Sequence, residues 1–192
     1  MAKLPIYNCF HPVLKKKTEE VKEIDQDVKN LVDNMFETMY YADGIGLAAN
    51  QVGESKSIIV IDTNDQDAPI KEPPITMINP IITAISEEEI DYQEGCLSVP
   101  KYFEKVVRPV KIQVKYMDIN MKEHHVEASE LMSRVMQHEI DHLNGVLFYE
   151  RLTPLRRTLA KNKLKKIQRN QTLPEYDMVD KNGNLIKFDV PL

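Results

Sequence analysis

Residues 128–143, ASELMSRVMQHEIDHL, place Leu131, Val135, His138 and His142 three or four positions apart, the spacing of one helical face. Ser129 is positioned to cap the start of this helix and Asn144-Gly145 to end it. Inside it, His138-Glu139-Ile140-Asp141-His142 is an HExxH pattern. Two imidazoles four residues apart on a helix reach one metal ion, with Glu139 beside the open coordination position. There a glutamate takes a proton from a water that the cation has acidified and passes it to a leaving group. The same five residues also arise by chance on solvated helices, so the rest of the chain has to decide.

A hydrolytic site needs a third protein ligand and a fourth position left for water. In HExxHxxGxxH the third ligand is a histidine; here Gly145 is present but Phe148 replaces that histidine. A downstream glutamate is excluded as well, since no Asp or Glu lies between Arg151 and Pro174. The ligand therefore comes from upstream, where Cys9, Cys96, His124 and His125 are available. Only Cys96 sits in a motif-like setting after a strand, Glu94-Gly95-Cys96-Leu97-Ser98, which points to a Cys-plus-two-His site. Against it stand a lone cysteine's common fate as a small buried hydrophobe and a Cys–His nucleophile, which leaves Glu139 and the second histidine without a role.

Around this helix the chain alternates secondary-structure signals. Ile24, Val28, Leu31, Val32, Met35, Phe36 and Met39 predict an amphipathic helix over 24–39, ending before Asp43-Gly44. The segment GIGLAANQVG (44–53) reads as a loop of small residues feeding the β-branched strand SIIVID (57–62). Residues 62–74 read as a polar, proline-bearing surface loop, followed by strands in ITMINP, IITAISEEEIDYQ and VKIQVKYMD. His124 and His125 are expected in a turn, facing solvent, and Cys9 in the core. A basic helix with no acidic residue is predicted from about 155 to 167, and the tail after it offers an edge strand at NLIKF. The expected fold is α+β, antiparallel or mixed sheets around a central HExxH helix, with a catalytic domain over 1–169 and a C-terminal tail over 170–192.

Composition bounds the function. The chain has 192 residues, 42% hydrophobic and 29% charged, enough for one domain that buries roughly 70% of its unfolded surface without disulfide or metal staples. Disorder as the main state is excluded. A net charge of −5 argues against indiscriminate nucleic-acid binding. Two cysteines do not make a disulfide framework, and no apolar run approaches the roughly 20 residues that span a bilayer, so a cytoplasmic, unprocessed protein with no membrane contact is expected.

Three segments, GIGLAANQ (44–51), EGCLS (94–98) and QHEIDH (137–142), resemble the signature motifs of the peptide deformylases, in the family's order. The resemblance runs from the N-terminus to about residue 150. It implies removal of the N-formyl group from the initiator methionine of nascent polypeptides, with release of formate. Carried onto this chain, it makes Cys96, His138 and His142 metal ligands and Glu139 the general base, then acid. Gln51 and the backbone N–H of Leu97 become donors to the formyl oxygen, while Ile45, Gly46 and Leu131 line a methionine pocket and the peptide-aligning edge. Leu131 serves equally well as a core residue. The implied metal is one Fe(II), with zinc, nickel or cobalt as substitutes, because thiolate and imidazole accept them all.

Glu94 is expected to pair with Arg108 and brace the loop that presents Cys96, and Asp141 to hold a ligand histidine or a backbone group, or to stand exposed. Arg134 departs from the family's apolar residue at that place, with its stem expected over apolar surface and its guanidinium outward; Phe103 stands where relatives often carry arginine. The basic helix is either a solvated face or a contact with ribosomal RNA, as the family's bacterial members make. Two other functions compete: an HExxH endopeptidase and an inactive, ribosome-associated metal-binding module.

Overall fold

The computed structural model describes residues 2–64 and 73–188, so part of the predicted 62–74 loop lies outside the described residues. A short strand β1 (Ile6–Tyr7) precedes helix α1 (Gln26–Tyr41). This helix starts two residues later than its apolar pattern because Asp25 is the cap, its carboxylate accepting from the Val28 N–H at 2.8 Å. The middle of the chain is sheet: β2 (Gly46–Ala48), β3 (Ile58–Ile61), β4 (Ile75–Ile85), β5 (Glu89–Cys96), β6 (Val99–Pro109), β7 (Lys111–Met117) and β8 (Glu123–Ser129). Helix α2 (Glu130–Leu143), helix α3 (Pro154–Gln168) and the strands β9 (Met178–Val179) and β10 (Leu185–Ile186) complete it.

A five-stranded sheet of order β2-β3-β4-β7-β8, antiparallel throughout, lies between two helices. Strand β3 shows why its sequence is an unbroken apolar run. Ile58 and Val60 pack with Leu31, Met35 and Met39 of α1, while Ile59 and Ile61 pack with Val135, Met136 and Ile140 of α2. A strand buried on both faces cannot alternate apolar with polar. Asn79 breaks the β4–β7 register with φ 51°, and its side-chain amide exchanges two hydrogen bonds with the backbone of Val21.

Strands β5 and β6 form a separate hairpin. Strand β6 escapes sequence reading because Arg108 occupies one of its buried positions while Phe103 and Val107 face outward, which blurs the alternation that Tyr102 and Val106 keep. Strand β8 replaces the turn expected at His124 and His125: they pair with Tyr116 and Lys115. His125 is exposed, but His124 is half-buried, stacked on Tyr116 and 2.8 Å from Asp118. Only Val126 and Ala128 supply an inward apolar signal there, too little to read as a strand. Residues beyond 169 return to the start of the chain, β9 pairing in parallel with β1 and antiparallel with β10, where the NLIKF strand was expected. Cys9 lies in a third core with Val99, Tyr102, Val106 and Phe148, to which α3 adds buried Ala160 and Ile167 and half-buried Leu164.

Candidate active site

The EGC segment ends β5 at a register break, with Gly95 opposite Phe103 and Cys96 then opposite Val99. A Cβ on Gly95 would stand 2.4 Å from the Phe103 ring, so the ring as it lies covers a glycine, and the bulge turns Cys96 toward α2. One turn apart on α2, the rings of His138 and His142 have centroids 5.0 Å apart. Cys96 Sγ is 3.2 Å from His142 Nε2, and one ligand atom from each of the three residues lies within 4.8 Å of the others. Burial lowers the pKa of His142 well below its ordinary value, which favours the neutral, ligating form. A soft thiolate and two imidazoles, converging from two elements in a largely buried place, fit a divalent transition metal.

Glu94 organises the surroundings. It is 5% exposed and accepts from His138 Nδ1 at 2.8 Å, from Arg108 at 2.6 and 2.9 Å, and from Arg134 at 2.7 Å. Binding Nδ1 leaves Nε2 of His138 to face the ligand cluster. Burial opposes ionisation of Glu94, but the hydrogen bonds and charges of His138 and Arg108 outweigh it and hold the carboxyl well below the usual carboxylate range. The expected Glu94–Arg108 pair is therefore present and is larger than a pair. Arg134 does not point outward: it is 6% exposed and also donates to the carbonyls of Val106 and Ile90. Asp141 neither holds a histidine nor stands exposed; it accepts from Arg108 at 2.7 Å and from Arg151. The sequence carries the acids and bases of this network but not their pairing, because several arginines compete for each carboxylate.

Glu139 reaches the same space from α2. It is 5% exposed, and its Oε2 finds no hydrogen-bond partner among the described residues. Burial pushes its pKa up to about 7. Gly46 makes room for it, since a Cβ there would lie 2.6 Å from Glu139 Oε1. Gln51, in a short 3-10 helix over Ala49–Val52, is 1% exposed and is no surface amide. Its Oε1 accepts from the Ala48 N–H at 2.8 Å, and its Nε2 lies 3.2 Å from Ser98 Oγ and 3.7 Å from Cys96 Sγ. A cleft of about 910 Å³ opens over these groups, lined in part by Ile45, Gly46, Leu97, Leu131 and Phe103. Leu131 is 43% exposed at its rim, so the alternative core role does not hold.

Residues 3–158 match the family model of polypeptide deformylase. This chain belongs to the polypeptide deformylase family. The peptide deformylase of Salinibacter ruber is 40% identical over 95% of this chain and 97% of its own length, and that of Thermodesulfovibrio yellowstonii is 47% identical over 86% and 98%. Among solved structures, a peptide deformylase from Ehrlichia chaffeensis in complex with actinonin superposes with a TM-score of 0.80 at 39% identity, covering 90% of this chain and all of that one. A plant peptide deformylase gives a TM-score of 0.83 at 34% identity, over 89% and 92%. The α+β fold with antiparallel sheets is thus the family's, and membership makes the chain a metal-dependent hydrolase of the deformylation reaction. No helix among the described residues is long and apolar enough to cross a membrane.

Proposed function

We propose that Cys96, His138 and His142 hold one divalent cation and that Glu139 moves the proton as the formyl group is hydrolysed from the N-terminal formylmethionine of newly synthesised polypeptides. The observation that carries this reading is the unpartnered, buried Oε2 of Glu139 beside three convergent ligand atoms. A purely structural site needs no such group. The cation, when bound, supplies Lewis-acid activation of water and of the formyl carbonyl. Glu139 takes the proton of the attacking water, whose oxygen bonds to the formyl carbon, and returns it to the amine nitrogen as the C–N bond breaks and formate leaves. The Leu97 N–H and Gln51 Nε2 donate to the formyl oxygen while negative charge builds on it.

Strand β2 is the end strand of the five-stranded sheet, which supports pairing of the backbone at Gly46 and the adjoining Ile45 with an extended peptide, Ile45 and Leu131 bordering the space for its methionine side chain. Fe(II) is the ion expected, with zinc, nickel or cobalt substituting. The protein acts in the cytoplasm on nascent chains. Helix α3 contacts the ribosome through Lys161, Lys163, Lys165 and Lys166; Arg156 is engaged by Asp91, and Arg157 by the carbonyls of Glu150 and Leu152.

Formate release from a short formyl-methionyl peptide tests the reading, using anaerobic protein loaded with Fe(II). Wild type is expected to release formate, and Glu139→Gln to be slower by about 10²- to 10⁴-fold with its metal retained. No release by wild type carrying one metal per chain would leave the metal-binding module; cleavage of an unformylated protein would leave the endopeptidase.

A further inference from the structure

The family match stops at residue 158. In this chain, residues well past 158 reach the cleft: Pro174, Glu175, Tyr176 and Phe188 form part of its lining. They are anchored there. The Ile6 N–H donates to the Asp177 carbonyl at 2.9 Å, the Phe188 N–H donates to the Asp177 carboxylate at 2.9 Å, and β9 pairs with β1.

The most specific contact is at the turn between β5 and β6. The Tyr176 hydroxyl donates to the Leu97 carbonyl at 2.6 Å. The carbonyl of the next residue, Ser98, accepts from the Cys9 N–H at 2.8 Å, so the two ends of the chain grip consecutive peptide groups of this turn. Glu175 adds an exposed contact to Lys101 at 3.6 Å. Burial raises the pKa of Tyr176, which keeps it a hydroxyl donor.

We propose that Tyr176 is a positioning residue: by holding the Leu97 carbonyl it fixes the Cys96–Ser98 turn, so that the Leu97 N–H meets the formyl oxygen as the reaction proceeds. The inference rests on the deformylation reading above and adds the C-terminal segment to the substrate site. An oxyanion donor is worth most when it needs no reorganisation during the reaction, and an extra hydrogen bond one atom group away from that donor is one means of holding it.

Tyr176→Phe removes the hydroxyl and keeps the ring. In the full-length, Fe(II)-loaded protein, kcat on a formyl-Met-Ala-Ser peptide is expected to fall about three- to tenfold, with KM within twofold of wild type and with metal content and thermal midpoint unchanged. Amide hydrogen exchange at Leu97 is expected to quicken by a similar factor. A kcat within twofold of wild type, or a loss that follows reduced metal content or a lowered midpoint, would overturn the proposal. If wild type itself releases no formate, the deformylation reading fails on its own, and unaltered exchange at Leu97 in Tyr176→Phe separately overturns the tether.

Discussion

Glu94, near the end of β5, and Glu139, on α2, are each 5% exposed and flank the same cluster, yet they meet opposite environments. Glu94 is met by two arginines and His138, and its carboxyl is held ionised. Glu139 keeps one oxygen unpartnered, and burial carries its pKa up to about 7. Burial alone therefore does not set the charge of a carboxylate here; the donors aimed at it do. One carboxylate positions and the other is free to exchange a proton, a division of labour that needs two acids in different surroundings.

The most disruptive test removes the charge that is fully engaged. Glu94→Gln leaves buried Arg134 without its carboxylate and Arg108 with only Asp141, so unfolding of the metal-loaded protein in urea is expected to cost about 3–5 kcal/mol less than in wild type. A change under about 1 kcal/mol would break the contrast, because it would mean that the network is not under electrostatic constraint.

A second test reads the other carboxylate in metal-free protein. Its folded-state pKa lies above the unfolded value, so the native state still holds a proton that the unfolded chain has released. Stability from this group is complete below about 4.5 and is lost as the pH rises through about 7. Wild type is expected to lose about 3 kcal/mol over that window relative to Glu139→Gln, measured by urea titration at several pH values. Parallel curves for the two proteins would show that Glu139 is not penalised by burial. Glu94 has the opposite sign: its stabilising effect is present above the ordinary glutamate value and falls away only at lower pH.

The smallest effect is expected where the same chemistry is exposed. Arg156 makes two bonds to Asp91 at 2.8 and 2.9 Å, but both side chains are about one-third solvent-accessible. Arg156→Ala should change stability by less than about 1 kcal/mol, measured by the same titration. A cost near that of Glu94→Gln would mean that geometry outweighs burial in setting the value of an ion pair.

Local periodicity made much of the framework legible: both apolar-faced helices, the β3 run and the ligand spacing on α2 are written in neighbouring residues. Strand β6 and the His124–His125 strand were not legible, because polar residues such as Glu104, Arg108 and His124 hold inward positions where apolar ones would mark the alternation, and pairing with the neighbouring strands β5 and β7 defines them instead. The same limit applied at the site. Cys96, His138 and His142 were readable as a set through elimination and motif, whereas the buried seat of Arg134 contradicts what its charge suggests. A long cation in an amphipathic helix is ordinarily outward; here Glu94 and two carbonyls supply the acceptors that a buried guanidinium needs.

By itself, the sequence determined the identity of the chemistry. Residues four apart on a helix share a face whatever surrounds them, and a thiol with two imidazoles is a metal-binding donor set in any fold. Only the tertiary structure decided which acid binds His138, which acid is left to exchange a proton, and that residues past 170 wall the cleft and reach Leu97. Those outcomes depend on burial and on contacts between segments far apart in the chain, and neither quantity is encoded at any single position.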